Sequence, residues 1–328
     1  MACADGGCLK IRTRIAPTPS GYLHLGNAWS FVLTWLAARS EGGDIHLRID
    51  DLDAARFREE YLEDVFASLR WLGLDWDGGP RDAAEFRAVH SQRFRIDRYR
   101  EVLGAERLQA SLYACVCSRE QARRDAEKAG RPTLYAGTCR DRGLDLNTED
   151  HALRHRVSKG AVKMRDETGG VSTLHPERDV GDFVVRQKNG DPGYQLASVV
   201  DDEDMHINFI VRGFDLMPST GAQLCLARTL EWQGFPQARF WHHTLVLNDA
   251  GEKLSKSEGA ESLKALREKF PDPSPIYRFF ARYMGMDPRD KFSARDLLAG
   301  FRVEKVATMP LKLSEFFRES GVQMSVEP

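Results

Sequence analysis

Two short segments, far apart in the chain, carry residue types that handle phosphates. The first is Ala16-Pro17-Thr18-Pro19-Ser20-Gly21-Tyr22-Leu23-His24-Leu25-Gly26-Asn27, the second Glu252-Lys253-Leu254-Ser255-Lys256-Ser257. Residues 10–16 alternate polar and apolar, as a short strand does. Pro17, Pro19 and Gly21 then force a turn, and apolar residues at helical spacing over 23–39 predict a helix that starts near His24. A strand, a turn and a helix N-terminus form an anion site, because backbone N–H groups and the helix dipole face the anion. His24 and Asn27 can each donate a hydrogen bond to a phosphate oxygen, and Gly26 lets a nucleotide approach the backbone. Lys253 and Lys256 supply positive charge as pyrophosphate leaves, and preorganised charge usually dominates nucleotidyl transfer. Asp249 and Gly251 predict a mobile loop around the lysines. Taken singly, a histidine at a helix start reads as a cap or a surface residue, and a Lys-x-x-Lys as a solvated loop. The two segments in this order predict one ATP-handling site.

The elements that position these residues need a sizeable core, and 328 residues suffice for two domains. Hydrophobic content of 42% and charged content of 29% are ordinary for a globular protein. The formal net charge of −2 provides no global basic field, so any nucleic-acid contact must come from local patches. No apolar run approaches a membrane span and the N-terminus has no signal-peptide pattern, which places the expected location in the cytoplasm. No internal repeat or low-complexity tract stands out.

Six cysteines are present: Cys3, Cys8, Cys115, Cys117, Cys139 and Cys225. In a cytosolic chain, clustered cysteines suggest a metal rather than disulfides. Cys115-Val116-Cys117 followed by Tyr135-Ala136-Gly137-Thr138-Cys139 offers three thiolates, but a closed tetrahedral zinc site needs a fourth ligand. No histidine lies within this segment, and Tyr135 can serve as a phenolate. Simple burial of the cysteines is the alternative. Cys3, Cys8 and Cys225 look isolated.

Residues 45–51 read as a second strand that ends in Asp50 and Asp51. A helix over 60–72 follows, with Tyr61, Val65, Phe66, Leu69 and Leu72 on one face. Ligands of doubly wound sheets bind beyond the carboxyl ends of strands, so Asp50, Asp51 and Asp53 can meet a substrate amine or ribose, or else cap a helix. The predicted organisation is a first catalytic half at 1–106, an inserted α+β module at 107–190, a second catalytic half at 191–260 and a helical tail at 261–328. The module holds strand-like runs at 161–165 and 182–186. Strand signals resume at Ser198-Val199-Val200 and at 207–213. A helix over 220–233 and a strand at 243–247 lead into the lysine loop. Helices are expected over 275–284, 294–301 and 311–319.

The paired segments resemble the His-x-Gly-His-like and Lys-Met-Ser-Lys-Ser-like signatures of class I aminoacyl-tRNA synthetases. Further motifs narrow the resemblance to the glutamyl/glutaminyl branch: Thr13-Arg14-Ile15-Ala16-Pro17-Thr18-Pro19-Ser20-Gly21, Arg48-Ile49-Asp50-Asp51-Leu52-Asp53, Leu72-Gly73-Leu74-Asp75-Trp76-Asp77, Tyr194-Gln195-Leu196-Ala197-Ser198-Val199-Val200-Asp201-Asp202 and Ile210-Val211-Arg212-Gly213-Phe214-Asp215-Leu216. The similarity covers roughly residues 10–260. It implies an α/β fold with a Rossmann-like parallel sheet, a zinc-containing insert and a short helical tail. It implies His24, Asn27, Lys253 and Lys256 as catalytic residues, with Gly26 beside them at ATP. Glutamate would be met by Arg14, Ala16, Pro17, Thr18, Asp50, Tyr194 and Arg212. Guanidinium groups bind carboxylates in a forked geometry, which suits Arg14 and Arg212. The usual pattern has Glu where Asp50 stands; Asn27 replaces the second histidine of the signature and Leu254 its Met, variations that this branch is expected to tolerate.

The residues that follow Ser257 can hold a few helices but no anticodon-binding domain. With the cysteine cluster, this resembles the glutamyl-queuosine tRNA(Asp) synthetase family, and the resemblance implies zinc on Cys115, Cys117, Tyr135 and Cys139. The expected reaction is activation of L-glutamate by ATP with Mg²⁺, without tRNA, then transfer to queuosine in the anticodon of tRNA(Asp), by an enzyme expected to be a monomer. Arg119, Arg123, Arg124 and Arg140 are candidate phosphate contacts, or else a solvated face. Two other readings are a short glutamyl-tRNA synthetase that charges the tRNA terminus and an inactive tRNA-binding paralogue.

Overall fold

The computed structural model of the chain describes residues 10–147, 150–254, 262–289 and 291–321. Its principal elements begin with β1 (Arg12–Ile15), α1 (Leu25–Ser40), β2 (Asp44–Leu47), α2 (Glu59–Trp71), α3 (Ile96–Leu103), β3 (Leu112–Cys115) and α4 (Arg119–Lys128). They continue with β4 (Ala152–His155), β5 (Val162–Asp166), β6 (Gly170–Leu174), β7 (Phe183–Arg186), α5 (Tyr194–Asp204), β8 (Phe209–Gly213) and α6 (Met217–Thr229). The last are β9 (Arg239–His243), β10 (Val246–Leu247), α7 (Leu263–Lys269), α8 (Ser274–Tyr283), α9 (Ala294–Gly300), β11 (Leu311–Lys312) and α10 (Leu313–Ser320). The chain divides into two units. One comprises Met1–Gln92, Phe209–Phe214 and Trp241–Pro328, the other Arg93–Asn208 and Asp215–Phe240.

In the first unit, β1 and β2 run parallel, with Arg12 opposite Asp44 and Ile15 opposite Leu47. Helix α1 connects them and is apolar nearly all round, so it is a core helix rather than a surface one. Leu25, Ala28, Trp29 and the whole run from Phe31 to Ala38 are buried. α2 is amphipathic and turns Leu62, Val65, Phe66 and Leu69 inward. Gly79 passes so close to β2 that a Cβ there would lie 2.0 Å from the Leu47 carbonyl oxygen, at φ +95°. Only glycine fits. β10 pairs in parallel with β11, Val246 opposite Leu311. The aromatic residues Phe279, Phe280, Phe316 and Phe317 of α8 and α10 join the same core.

In the second unit, β3, β4 and β7 form an antiparallel sheet, with a bulge at Leu153/Arg154. β5 forms a hairpin with β6 and pairs in parallel with the start of β9. One predicted strand is absent: Ser198-Val199-Val200 lies inside helix α5. A run of three residues is too short to show a period. The decisive pattern is the longer run Leu196-Ala197-Ser198-Val199-Val200-Asp201-Asp202, all buried, which only a helix can turn inward on several sides. The buried Asp201 carboxylate is met by the Tyr99 hydroxyl at 2.9 Å and Arg95 Nε at 2.7 Å, both from α3 and the residue before it.

No described helix is long and apolar enough to cross a membrane.

Candidate functional site

The strand, turn and helix predicted around His24 are present, but the helix end is closed by its own histidine. His24 is the N-cap of α1. Its Nδ1 accepts the backbone N–H of Gly26 at 3.1 Å and that of Asn27 at 3.4 Å, and Asn27 Oδ1 accepts the His24 N–H at 3.1 Å. This reciprocal box satisfies donors that an anion was expected to meet. The expected set of backbone N–H groups facing a phosphate is therefore corrected: two of them serve the ring. The same geometry defines the histidine chemically. A neutral imidazole that accepts at Nδ1 carries its proton on Nε2, so the other ring nitrogen is a hydrogen-bond donor. Gly26 has a nearer role than nucleotide access, because a Cβ there would lie 3.0 Å from His24 Cε1 and Nδ1.

The lysine segment is brought to this turn within the same unit. Trp29 Nε1 on α1 donates to the Thr244 carbonyl at 3.1 Å, just before β10. Beyond β10, the Asn248 N–H donates to the Glu252 carbonyl and the Glu252 N–H donates to Asn248 Oδ1, in a tight turn with Gly251 at φ +78°. Lys253 bridges to Leu247 and is exposed, while Leu254 is buried in the core. Lys256, with Ser255 and Ser257, lies outside the described residues. Where description resumes, Ser262 pairs with His24 and the Leu263 N–H donates to the Leu23 carbonyl at 2.6 Å. Lys264 Nζ meets the Tyr22 hydroxyl at 3.1 Å and lies 4.6 Å from the centre of its ring.

The residues expected to meet glutamate gather at the carboxyl ends of β1, β2 and β8, with one exception. Arg14 on β1 and Arg212 on β8 are both buried, 6% and 3% exposed. Arg14 Nη1 reaches the carbonyl of Val211, the residue before Arg212, at 3.5 Å. The Asp50 N–H donates to the Pro17 carbonyl at 2.9 Å, so the turn through Ala16, Pro17 and Thr18 adjoins the end of β2. The Asp50 carboxylate is clasped by Arg48, through Nε at 2.7 Å and Nη2 at 3.3 Å. Tyr194 belongs to the second unit, as the half-exposed first residue of α5. Asp51 and Asp53 each have partners within the chain. Asp51 is buried and accepts from the Ser91 hydroxyl and the Gln92 N–H, and Asp53 pairs with Arg56.

In the second unit, β3 ends in Cys115, and Cys117 precedes α4. Tyr135 and Cys139 return on a later turn. The three sulfur atoms lie within 4.8 Å of one another. Cys117 Sγ is 3.6 Å from Cys139 Sγ, and the Tyr135 hydroxyl is 3.3 Å from Cys115 Sγ and 3.5 Å from Cys117 Sγ. A tetrahedral zinc with bonds of about 2.3 Å to sulfur and about 2.1 Å to oxygen sets ligand separations of roughly 3.6–3.8 Å. The four side chains have the spacing and donor types for such an ion. Burial pushes the Cys117 thiol up to about 11 and, with the three thiols around it, pushes the Tyr135 phenol well above its ordinary range. At Cys139 burial is outweighed by hydrogen bonds from Tyr135, the Val116 backbone and the two other thiols, which hold the thiol down at about 7. Cys225 stands apart from the cluster, Cys3 and Cys8 lie outside the described residues, and no described cysteine is in a disulfide.

Of the arginines proposed near the cluster, Arg140 is occupied by Asp182 and the Val157 carbonyl. Arg123 and Arg124 form pairs along α4 with Glu127 and Glu120 and remain exposed, as does Arg119. Sequence reasoning missed Asp64 and Arg267. Arg267 on α7 donates to the buried Asp64 carboxylate of α2, which the Leu23 N–H also approaches. Burial raises the Asp64 carboxyl, and the Arg267 charge works against that rise. A pairing between residues 203 positions apart leaves no local signal.

The model of the family "tRNA synthetases class I (E and Q), catalytic domain" matches residues 10–318. A Glutamyl-Q tRNA(Asp) synthetase of Nitratidesulfovibrio vulgaris is 38% identical over 290 residues, 85% of this chain and 87% of that protein. One of Symbiobacterium thermophilum is 36% identical over 311 residues, 92% of this chain and 95% of that protein. A glutamate–tRNA ligase of the same bacterium is 34% identical over 300 residues, and there the match spans 88% of this chain but only 61% of the relative. The crystal structure of the glutamate–tRNA synthetase from Elizabethkingia anophelis shares the fold. Its TM-score is 0.75 at 23% identity, over 94% of this chain and 70% of that one.

Proposed function

This chain belongs to the class I tRNA synthetases of the glutamate and glutamine type, and we propose that it activates L-glutamate with ATP and transfers it to queuosine in the anticodon of tRNA(Asp). The observation that carries the activation step is the pairing of Ser262 and Leu263 with Leu23 and His24, which ties the flank of the lysine segment to the donor histidine. Support for the acceptor comes from the two relatives named for it, which the chain matches over 87% and 95% of their lengths.

In this reading the glutamate side chain and α-carboxylate lie against Arg14 and Arg212, with Ala16, Pro17 and Thr18 along the turn. Asp50 takes the α-ammonium, held in place by Arg48. Burial strengthens each of these charge contacts. Tyr194 is assigned on its motif alone. An oxygen of the α-carboxylate attacks the α-phosphorus of ATP, a new P–O bond forms, and the bond to pyrophosphate breaks. Mg²⁺ bound with the nucleotide supplies charge neutralisation at the phosphates. His24 Nε2–H and the Asn27 amide donate to phosphate oxygens, Gly26 keeps the ring in its capping position, and Lys253 and Lys256 stabilise the departing pyrophosphate. A cyclopentene hydroxyl of queuosine then attacks the glutamyl carbonyl carbon. An ester forms, the hydroxyl proton is lost and AMP leaves. Cys115, Cys117, Tyr135 and Cys139 would hold a structural zinc, which when bound cross-links β3 to the turn at 135–139. The inserted residues 107–190 would receive the anticodon loop, in a cytoplasmic enzyme acting as a monomer.

The test combines two assays. Glutamate-dependent exchange of pyrophosphate into ATP is expected without any tRNA. Labelled glutamate is expected to enter tRNA(Asp) that carries queuosine and not tRNA(Asp) that lacks it. Labelling confined to tRNA(Glu) would favour the second reading, a ligase that charges the tRNA terminus, to which the 34% identity with a glutamate–tRNA ligase also points. Absence of exchange would leave an inactive tRNA-binding paralogue.

A further inference from the structure

Two arginines stand against the cysteine cluster in an unusual way. The guanidinium carbon of Arg154, on β4, lies 3.7 Å from the centre of the Tyr135 ring. Its Nη1 donates to the Asp182 carbonyl at 2.9 Å. Arg142 Nη1 lies 3.8 Å from Cys139 Sγ. Among the described residues neither guanidinium meets a carboxylate. Their neighbours Arg140 and Arg156 do, at Asp182 and Asp141. A half-buried guanidinium stacked on a phenol with no acidic partner is costly unless something nearby is negative.

The candidate metal centre is that negative group. Three thiolates and a phenolate outweigh a divalent ion by two negative charges, and all four ligands are buried. Water cannot screen this excess, so it must be met by protein cations. One lies over the face of the oxygen ligand and one against a sulfur ligand. We propose that Arg154 and Arg142 are the counter-charges of the metal centre, with Arg154 also positioning the Tyr135 ring so that its oxygen completes the ligand set. The proposal rests on the zinc reading above. It concerns side chains outside the ligand set, of the kind that tune metal affinity without touching the ion. Cation–π stacking explains the placement of Arg154, since the flat guanidinium holds the ring in plane while its charge faces the site.

The experiment uses the full chain and measures zinc affinity by competition with a chromophoric chelator, alongside the visible absorption of the cobalt-substituted protein. Arg154→Met is expected to weaken zinc binding roughly 10- to 100-fold, and Arg154→Lys to recover part of the loss. Arg142 is exposed, so its variants fold whatever the fate of Arg154→Met. Arg142→Gln is expected to weaken binding several-fold and Arg142→Glu more, with the cobalt spectrum unchanged because the ligands are the same. That graded order follows charge, and a packing role would not produce it. Variants that bind zinc within twofold of the unaltered chain would overturn the counter-charge role while leaving the zinc reading intact. An unaltered chain that binds no zinc through these ligands would overturn both.

Discussion

His24 Nδ1 lies 3.1 Å from the backbone nitrogen of Gly26, so one ring nitrogen caps α1 and leaves the proton on the other. The two duties of this histidine can be separated by substitution. His24→Asn keeps a capping acceptor at N-cap and loses the Nε2 donor. Its stability is expected to stay within about 0.5 kcal/mol of the unaltered chain, since Asn is among the preferred caps. Its pyrophosphate exchange is expected to fall by about 100-fold or more, the usual loss for one transition-state donor. His24→Ala loses both and is expected to be less stable by about 1 kcal/mol. Urea unfolding and exchange rates on the same samples check both. Equal loss of stability in the two variants would remove the distinction.

Gly26→Ala tests the same relationship from the other side. A methyl group 3.0 Å from two ring atoms requires the imidazole to give by a few tenths of an ångström, which disturbs its capping position. The backbone at Gly26 is helical and tolerates alanine, and alanine gains helix propensity. The expected result is a protein of near-normal stability whose exchange activity is reduced at least tenfold, a range set by the misplacement of one catalytic group. Full activity in this variant would show that the ring has another position in which it works.

The helix that follows the lysine segment is held by the Arg267–Asp64 pair, and this makes a second separable prediction. Arg267→Met leaves a buried carboxylate without its cation, which costs about 3 kcal/mol. Combining it with Asp64→Asn is expected to restore most of that stability, because no unpaired charge remains. Since α7 also carries the Leu263 contact to Leu23, KM for ATP is expected to rise in the single variant while KM for glutamate stays unchanged. A double-mutant cycle in urea, with KM for each substrate, checks both halves.

Local signals carried much of this architecture. Pro17, Pro19 and Gly21 punctuate the chain so strongly that the strand, turn and helix around His24 could be placed from residue types alone. The two motifs could be paired because each is a contiguous run. What remained hidden depended on distance or on a short window. Ser198-Val199-Val200 looks like a buried strand until the flanking Leu196 and Asp201 are seen to turn inward too. Asp51 looks like Asp50 in sequence, yet one is buried against Ser91 and Gln92 and the other is oriented by Arg48, and no rule of spacing separates them. A histidine at a helix start reads in sequence as a cap or as a phosphate contact. The ring geometry shows that capping uses Nδ1 and that this very use makes Nε2 a donor.

His155 predicts a pH dependence in the second unit. Its ring is 1% exposed, stacks on Phe183 and meets the Thr229 hydroxyl at 3.2 Å. Burial lowers its pKa to about 4, with the Asp182 charge opposing. An unfolded chain would protonate this histidine near pH 6.5. Between these values the unfolded state holds a proton that the folded state does not, so stability falls as the pH drops from about 6.5 to about 4 and changes no further below that. The full effect is at most roughly 3 kcal/mol. Hydrogen exchange of the β4 amides across this range is expected to show the slope, and His155→Gln to flatten it. An unchanged slope in that variant would assign the dependence to another group.

Arg14 and Arg212 supply the sharpest test of substrate class. Both guanidiniums are buried on their strands, and a planar fork binds a carboxylate through two bonds that an ammonium cannot reproduce. Arg212→Lys keeps the charge and loses the fork. If Arg212 meets glutamate in the ground state and the transition state alike, KM for glutamate rises by about tenfold or more with kcat nearly unchanged, the signature of uniform binding. KM for ATP should not move. Arg14→Lys is expected to act in the same direction, with an added stability cost because its reach to the Val211 carbonyl is lost. The discriminating measurement is the exchange reaction with glutamate and, in parallel, with glutamine. An amide side chain has no charge to lose, so an arginine that reads the side-chain carboxylate narrows the preference for glutamate over glutamine when it is replaced. One that holds only the α-carboxylate weakens both substrates equally and leaves that preference intact.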